Sequence, residues 1–349
     1  PGATSTKVAV YDDADDGLKE VFSESVAHSA EELAGYEHVV DQLAFRDAVV
    51  LFALRRHGIP TSELSAVCSR GGLLKHIPSG TYQINDAVVE DIYHPPYGEH
   101  ASSLGPLIAK GIADRAGIPA YFVDPVSVDE METIGRVSGF CGMERESFFH
   151  ALNHKAVGRK AAELLGKPYE ELNLIIVHMG GGVSVAAHKK GRVADLFNVK
   201  DDGSFCMDRG GALPVNAVIK LCFSGKSQKE IKKTLGTQAG VFSYLGTRDF
   251  REVEARMLAG DAQAKQIFEA MAYQHAKDIG ALAAALRFEV DAIVLTGGIA
   301  YSDRFCEEIS GYVQKIAPIL RIPGEEEMRA LAQGASRVLH GEPAKEYPA

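Results

Sequence analysis

A chain of 349 residues is too long for one ordinary core, so two domains are expected. With 46% hydrophobic and 24% charged residues the composition is globular, and a formal net charge of −10 argues against nucleic acid as a partner, because phosphate backbones reward dense Lys and Arg. Five scattered cysteines without a CxxC pair disfavour a disulfide framework or zinc site, and without a membrane-length apolar run or a signal peptide the expected location is cytoplasmic.

Along the chain, Pro1-Gly2-Ala3-Thr4-Ser5-Thr6-Lys7 reads as the second half of a strand–turn–strand unit, which places a first strand ahead of Pro1. Residues 7–12 read as a strand. Ser29 with Glu32 has capping-box spacing at a helix start. Residues 66–69 form an apolar strand that meets Arg70-Gly71-Gly72. A long helical pattern covers 98–116, with His100 near its start and Gly117 at its end. Residues 120–124 form a compact strand whose last residue, Asp124, precedes Pro125. A carboxylate there can hold Mg²⁺ or cap a turn. His150 follows two phenylalanines, and residues 159–165 continue a helix stopped by Gly166.

The second half opens on a buried strand, 174–178, nearly all β-branched and ended by His178. Gly180-Gly181-Gly182 follows at once, then strands over 183–188 and 192–197. Three glycines let a backbone approach a ligand, and successive N–H groups form an anion nest, to which Ser184 could add a hydroxyl. Alone, this segment reads equally well as a hairpin turn, and GxxxxGK[ST] is absent. Asp201-Asp202-Gly203 opens the segment that carries Arg209-Gly210-Gly211. Like Arg70, Arg209 stands beside glycines and could reach a ligand oxygen bidentately, although a surface ion pair is the common fate of an isolated Arg. A long Ala-rich helix over 262–286 precedes the buried strand 292–296, and Thr296-Gly297-Gly298 could let a nucleoside lie against the backbone. A last helix runs over 326–339, closed by Gly341.

PGATSTKVAVYDD and MGGGVSVAAHKKG share one plan about half the chain apart: a Gly turn, a strand and a polar turn. The repetition implies two duplicated α/β halves with a cleft between them, where two such turns could grip a polyphosphate.

PGATSTK, SRGGLL, GEHASSLG, YFVDPVSVDEME, FFHALNHKAV, VHMGGGVSVAAHKKGRV, FNVKDDGSFCMDRGGALP and LTGGIAYS occur in this order. Together, from Pro1 to about Gly341, they resemble the butyrate kinases of the acetate kinase family. The resemblance implies an α/β fold of two duplicated actin-like ATPase (ribonuclease H-like) domains. The expected boundaries are 1–152, completed by a C-terminal helix over 327–349, and 153–326 as the nucleotide-binding domain. It implies ATP/ADP and Mg²⁺ as cofactors, a small carboxylate as substrate, a homo-oligomer, and no nucleic-acid or membrane partner. Arg70 and Arg209 would bind the carboxylate and the moving phosphoryl group, with His178 contacting that group and His100 lining the site. Asp124 and Glu327 would be the metal-associated acids, with Glu326 as the alternative. Gly2, Thr4, Ser5, Thr6 and Lys7 match the first phosphate loop, Gly180, Gly181 and Gly182 the second, and Gly297 and Gly298 the adenosine loop. The family has Ser where Ala3 stands, and an Asn and a first strand ahead of the Pro-Gly pair.

The implied reaction is reversible, ATP-dependent phosphorylation of butyrate or a related short-chain acid, with Gly72 and Val177 helping to shape the acyl pocket. A kinase of the same fold acting on acetate, isobutyrate or a sugar hydroxyl is the first alternative. A hydroxyl would need a base, which Asp124 could supply, whereas the arginine pair favours a carboxylate. A non-catalytic nucleotide-binding module is the second, and it would bind ATP without acid-dependent turnover.

Overall fold

The computed structural model describes residues 1–14, 17–200 and 202–349. Asp201, which opens the Arg209 segment in the sequence, lies outside the described residues. The chain divides into two compact units: Pro1–Asp129 with Glu326–Ala349, and Glu130–Glu325.

The first unit begins with β1 (Ser5–Ala14) and β2 (Gly17–Ala27), α1 (Ala30–Ala34) and α2 (Leu43–Arg56). Then come β3 (Val67–Arg70), β4 (Thr81–Gln83), α3 (Asp86–Tyr93), α4 (Leu104–Ala116) and β5 (Ala120–Val123). The second unit holds α5 (Thr133–Arg136), α6 (Ala151–Leu165), β6 (Asn173–Met179), β7 (Val183–Lys189) and β8 (Arg192–Phe197). It continues through α7 (Val215–Cys222), α8 (Gln228–Thr237), α9 (Gly240–Leu245), α10 (Phe250–Leu258) and α11 (Ala262–Ala285) to β9 (Ala292–Gly297), α12 (Asp303–Val313) and β10 (Ile319–Pro323). The chain then returns to the first unit as α13 (Glu327–Leu339) and β11 (Lys345–Glu346).

Local chemistry explains many of these boundaries. Ser29 accepts from the Glu32 amide while Glu32 reaches back to the Ser29 amide, a reciprocal cap on α1. Gly117 and Gly166 end α4 and α6 in the left-handed conformation that glycine adopts without strain. Strand β2 had no counterpart in the sequence reading. It offers the core only Phe22 as a buried side chain, so its alternation is weak.

In the second unit the sheet order is β10-β9-β6-β7-β8. β6 is the central strand, parallel to β9 and antiparallel to β7. Its side chains alternate between two cores. Ile175, Val177 and Met179 pack with Met271, Ile279 and Ile309 of α11 and α12, and Leu174 and Ile176 pack with Val157 and Ala161 of α6. A strand buried on both faces must be apolar throughout, as LIIV is.

In the first unit the strands form two sheets. β1 and β2 make an antiparallel hairpin, and the other sheet has the order β11-β4-β5-β3. Strands β3 and β5 run parallel with Arg70 opposite Val123. Residues 130–152, expected in the first unit, fall in the second. Its internal contacts hold them there: Arg145 pairs with Asp195 and Asp202, the Glu132 amide donates to Ala194 O, and the Val199 amide to Phe148 O.

Candidate functional site

In the second unit, β6 delivers His178 to its end with the ring almost wholly buried. His178 Nδ1 lies 2.9 Å from Asn153 Oδ1 of α6, and Nε2 lies 3.1 Å from Glu325 Oε1. The His150 ring stacks on it at 3.8 Å between centroids. One face and both nitrogens are therefore engaged, which sets the ring's orientation.

The glycine turn follows two residues later, closed by the Gly180 amide donating to Gly182 O at 3.0 Å. A Cβ on Gly182 would stand 2.9 Å from Arg209 Nη1 and 2.8 Å from Val199 Cγ2, so only glycine lets Arg209 lie against the turn. Arg209 Nη1 donates to Val199 O at 3.0 Å, which leaves other guanidinium donors for a ligand. At Gly181 no heavy atom lies within 4 Å of a Cβ position, and this part of the turn is open. Gly297 ends β9 with φ +86°, and a Cβ there would meet Met179 O at 2.4 Å. That close approach joins the Gly297-Gly298 turn to the residue before Gly180. Thus His178, Gly180–Gly182, Arg209 and Gly297-Gly298 come together in one unit.

Ser184 does not serve the turn. Its buried Oγ lies 2.8 Å from His150 Nδ1 and 3.0 Å from His154 Nε2, and His154 Nδ1 contacts His188 Nε2, whose other ring nitrogen meets the Tyr169 hydroxyl. Burial holds His154 and His188 well below the usual imidazole range. Val177 is fully buried in the core of this unit.

In the first unit, Arg70 Nη1 lies 3.2 Å from Glu327 Oε1, the first residue of α13. Asp124 directly follows Val123, the cross-strand partner of Arg70. Its buried carboxylate Oδ1 accepts from Ser79 Oγ at 2.7 Å and from the Gly80 amide at 2.8 Å. Its φ of 38° is unusual for a residue before proline, and these bonds hold it there. The carboxylate is therefore an organised acceptor rather than a plain turn cap.

The turn before β1 is secured from α2. Fully buried Arg46 donates to Ser5 O, Thr6 Oγ1 and Ala3 O, and Thr6 Oγ1 also meets His28 Nε2 at 2.8 Å. Thr6 is thus committed inward, whereas Thr4 and Lys7 are exposed. His100 is exposed as well and caps the turn entering α4, with Nδ1 accepting from the Ser102 amide. Ser103 in that turn packs against Gly72 and accepts from the Leu73 amide at 3.1 Å, so His100 belongs to the turn seated on the Arg70-Gly71-Gly72 segment.

Asn153, Glu325, Ser79 and Arg46 were missed in the sequence. Only Arg46 left a signal, a lone charge in the otherwise apolar face of a helix. Among the described residues no group of three or more His, Cys, Asp or Glu side chains could hold a metal by itself. Mg²⁺ commonly takes only one or two protein carboxylates and completes its shell with water and substrate phosphate. Asp124 and Glu327 fit that second pattern.

The Acetokinase family model matches residues 142–334. Butyrate kinase 1 of Clostridium acetobutylicum is 49% identical over 350 residues, which cover 99% of this chain and 98% of that protein. Among solved structures, the acetate kinase of Porphyromonas gingivalis has a TM-score of 0.76 at 20% identity, covering 95% of this chain and 90% of that one. A propionate kinase of Francisella tularensis has a TM-score of 0.70 at 19% identity, covering 95% and 96%. At that identity the structural likenesses establish the fold, two α/β units of the actin-like ATPase type.

Proposed function

Because the chain belongs to the acetokinase family, we propose that it transfers the γ-phosphoryl group of ATP to butyrate or a closely related short-chain acid, reversibly, giving the acyl phosphate and ADP. The observation that carries this reading is Arg209 seated against the glycine turn that His178 precedes.

A short-chain acid is already ionised near neutral pH, so no general base is required. A carboxylate oxygen forms the new bond to Pγ while the bond from Pγ to the bridging oxygen breaks, and ADP leaves with that electron pair. Two anions must be brought together, so this chain's work is positioning and charge neutralisation. Arg209 and Arg70 each offer a planar guanidinium to carboxylate or phosphoryl oxygens. His178, its ring fixed by Asn153 and His150, presents Nε2 in exchange for Glu325. Gly180–Gly182 and the turn over Gly2–Lys7 offer backbone donors to phosphate, and Gly297-Gly298 a surface without side chains to the nucleoside. Mg²⁺ would arrive with the nucleotide, held through Asp124 and Glu327, and supply charge neutralisation between phosphate oxygens. Use of ATP supports a cytoplasmic location for the reaction.

The test is acyl phosphate formation trapped as the hydroxamate, with MgATP and acetate, butyrate or isobutyrate as acceptor. Butyrate or isobutyrate is expected to give the highest kcat/KM. One methylene is worth only ~1–3 kcal/mol, so acetate should be slower and still measurable. A preference for acetate would refute the acceptor, and ATP binding without turnover on any acid would refute the reaction.

A further inference from the structure

Beside His178 runs a buried line of polar side chains that zigzags between α6 and β7. His150, at the N-terminal cap of α6 and half-buried, stacks on His178 with 3.8 Å between ring centroids. Its Nδ1 lies 2.8 Å from Ser184 Oγ of β7, and that oxygen lies 3.0 Å from His154 Nε2 of α6. His154 Nδ1 lies 3.3 Å from His188 Nε2 of β7, and His188 Nδ1 meets the Tyr169 hydroxyl. Ser184, His154, His188 and Tyr169 are at most 5% exposed.

Chemistry fixes the order of hydrogens along this line. Burial, and then neighbouring charge including Lys155, keeps His154 and His188 uncharged near neutral pH, so each ring has one N–H. The Ser184 carbonyl, which can only accept, is a further partner of the His154 ring, and this puts the His154 hydrogen on Nε2, the nitrogen facing Ser184. His154 Nδ1 must then accept. The His188 hydrogen is therefore on Nε2, and His188 Nδ1 accepts from the Tyr169 O–H. Lys155 Nζ and Arg159 Cζ each stand 5.9 Å from the centre of the Tyr169 ring, and positive charge there strengthens the phenol as a donor. At the other end, Ser184 Oγ accepts from His154 Nε2 and from the His150 amide at 3.4 Å, and its own hydrogen goes to His150 Nδ1.

We propose that Tyr169, His188, His154 and Ser184 form a positioning relay that holds His150 as the neutral tautomer with its hydrogen on Nε2, so that His178 is the ring of the stacked pair that takes up positive charge beside an anionic ligand. The proposal rests on the reading of His178 as a ligand contact. Charging His150 would aim an Nδ1–H at an oxygen whose lone pairs are already taken. It would also stack a second cation on His178, and like charges at that distance oppose each other.

The experiment is NMR of the full chain with ¹⁵N-labelled histidine near neutral pH, with the His150 signals identified by their loss in His150→Gln. His150 Nδ1 is expected to resonate as a bare nitrogen and Nε2 as a protonated one. Ser184→Ala, which removes the last hydroxyl of the relay, should mix the two His150 tautomers and lower kcat with butyrate about tenfold, with KM for ATP and butyrate within about twofold. Tyr169→Phe, which removes only the far hydroxyl, should shift the same signals less and lower kcat about threefold. A hydrogen on His150 Nδ1, or a charged His150 ring, in the unaltered chain would overturn the proposal even if neither variant folds. An unchanged tautomer in both variants, or an altered tautomer with unchanged kcat, would overturn it too. The expected tautomer, disturbed by both variants in a chain that phosphorylates no acid, would uphold the relay and remove the acyl kinase reading instead.

Discussion

The two units solve one problem, holding a ligand turn at the end of a strand, by different physical means. In the second unit the turn Gly180–Gly182 joins two strands of a continuous sheet, and backbone pairing on both sides fixes it. Its remaining requirement is steric, space at Gly182 for Arg209. In the first unit the turn before β1 has two backbone bonds, Gly2 N–H to Ser5 O and His28 N–H to Thr4 O, and the largest side-chain contribution comes from Arg46, reaching from α2 to two carbonyls and a hydroxyl. A ladder spreads the work over many weak bonds, whereas a buried arginine concentrates it in one residue. The second arrangement should fail far more sharply under mutation.

The largest expected effect lies in the second unit and concerns rate. Arg209→Ala should lower kcat/KM about 10³-fold, ~4 kcal/mol of transition-state stabilisation, with the thermal transition unchanged. Near-normal turnover would remove Arg209 from the proposed chemistry. Next, Arg46→Met should destabilise the first unit by ~3 kcal/mol, because three acceptors around the turn lose their donor. Hydrogen exchange should quicken in β1 and β2 and stay unchanged in β6 to β9. Uniform loss in both units would break the contrast.

Acid should act mainly on the second unit. His275 is buried with neither ring nitrogen hydrogen bonded, and burial pulls it down to about 3. Between that value and the ordinary 6.5 the unfolded chain binds the extra proton, so stability is full above 6.5 and is lost as pH falls through this window. From pH 7 to pH 5 the loss from this group alone is about 2 kcal/mol, and His154 and His188 act in the same direction. Chemical denaturation of His275→Phe should show a flatter pH profile, and an unchanged slope would assign the acid sensitivity elsewhere. The smallest effects separate neighbours in the glycine turn. Gly182→Ala should cost ~1 kcal/mol and displace Arg209. Gly181→Ala should leave stability within about 0.5 kcal/mol while raising KM for ATP. Equal KM in both variants would remove backbone approach at Gly181 from the reading.

Much of this contrast was legible in the sequence, for definable reasons. The strand over 174–178 was readable because a strand buried on both faces leaves an apolar, largely β-branched run, and Gly182 and Gly191 mark the starts of the strands over 183–188 and 192–197. The duplication was readable because each turn keeps its small residues. Asn153 and Glu325 were not, since they meet His178 only through tertiary packing, and neither stands in a periodic pattern. Asp124, expected as the last residue of its strand, stands just past β5, where Ser79 and Gly80 hold it at φ 38° although a residue before proline is usually extended. The boundary expected after residue 152 fell after 129 because residues 130–150 carry little regular structure, and polar contacts with β8 decide where they belong.

Glu327 beside Arg70, and Glu325 beside His178, give two of the candidate ligand-binding groups a resident carboxylate at about 3.2 Å and 3.1 Å. An incoming anion therefore exchanges with an anion already present and gains only the difference between two similar partners. Such a ligand comes and goes quickly, and its affinity responds less to added salt than binding at a bare cation would. For an enzyme that can run in either direction, this keeps both acid and acyl phosphate from lingering.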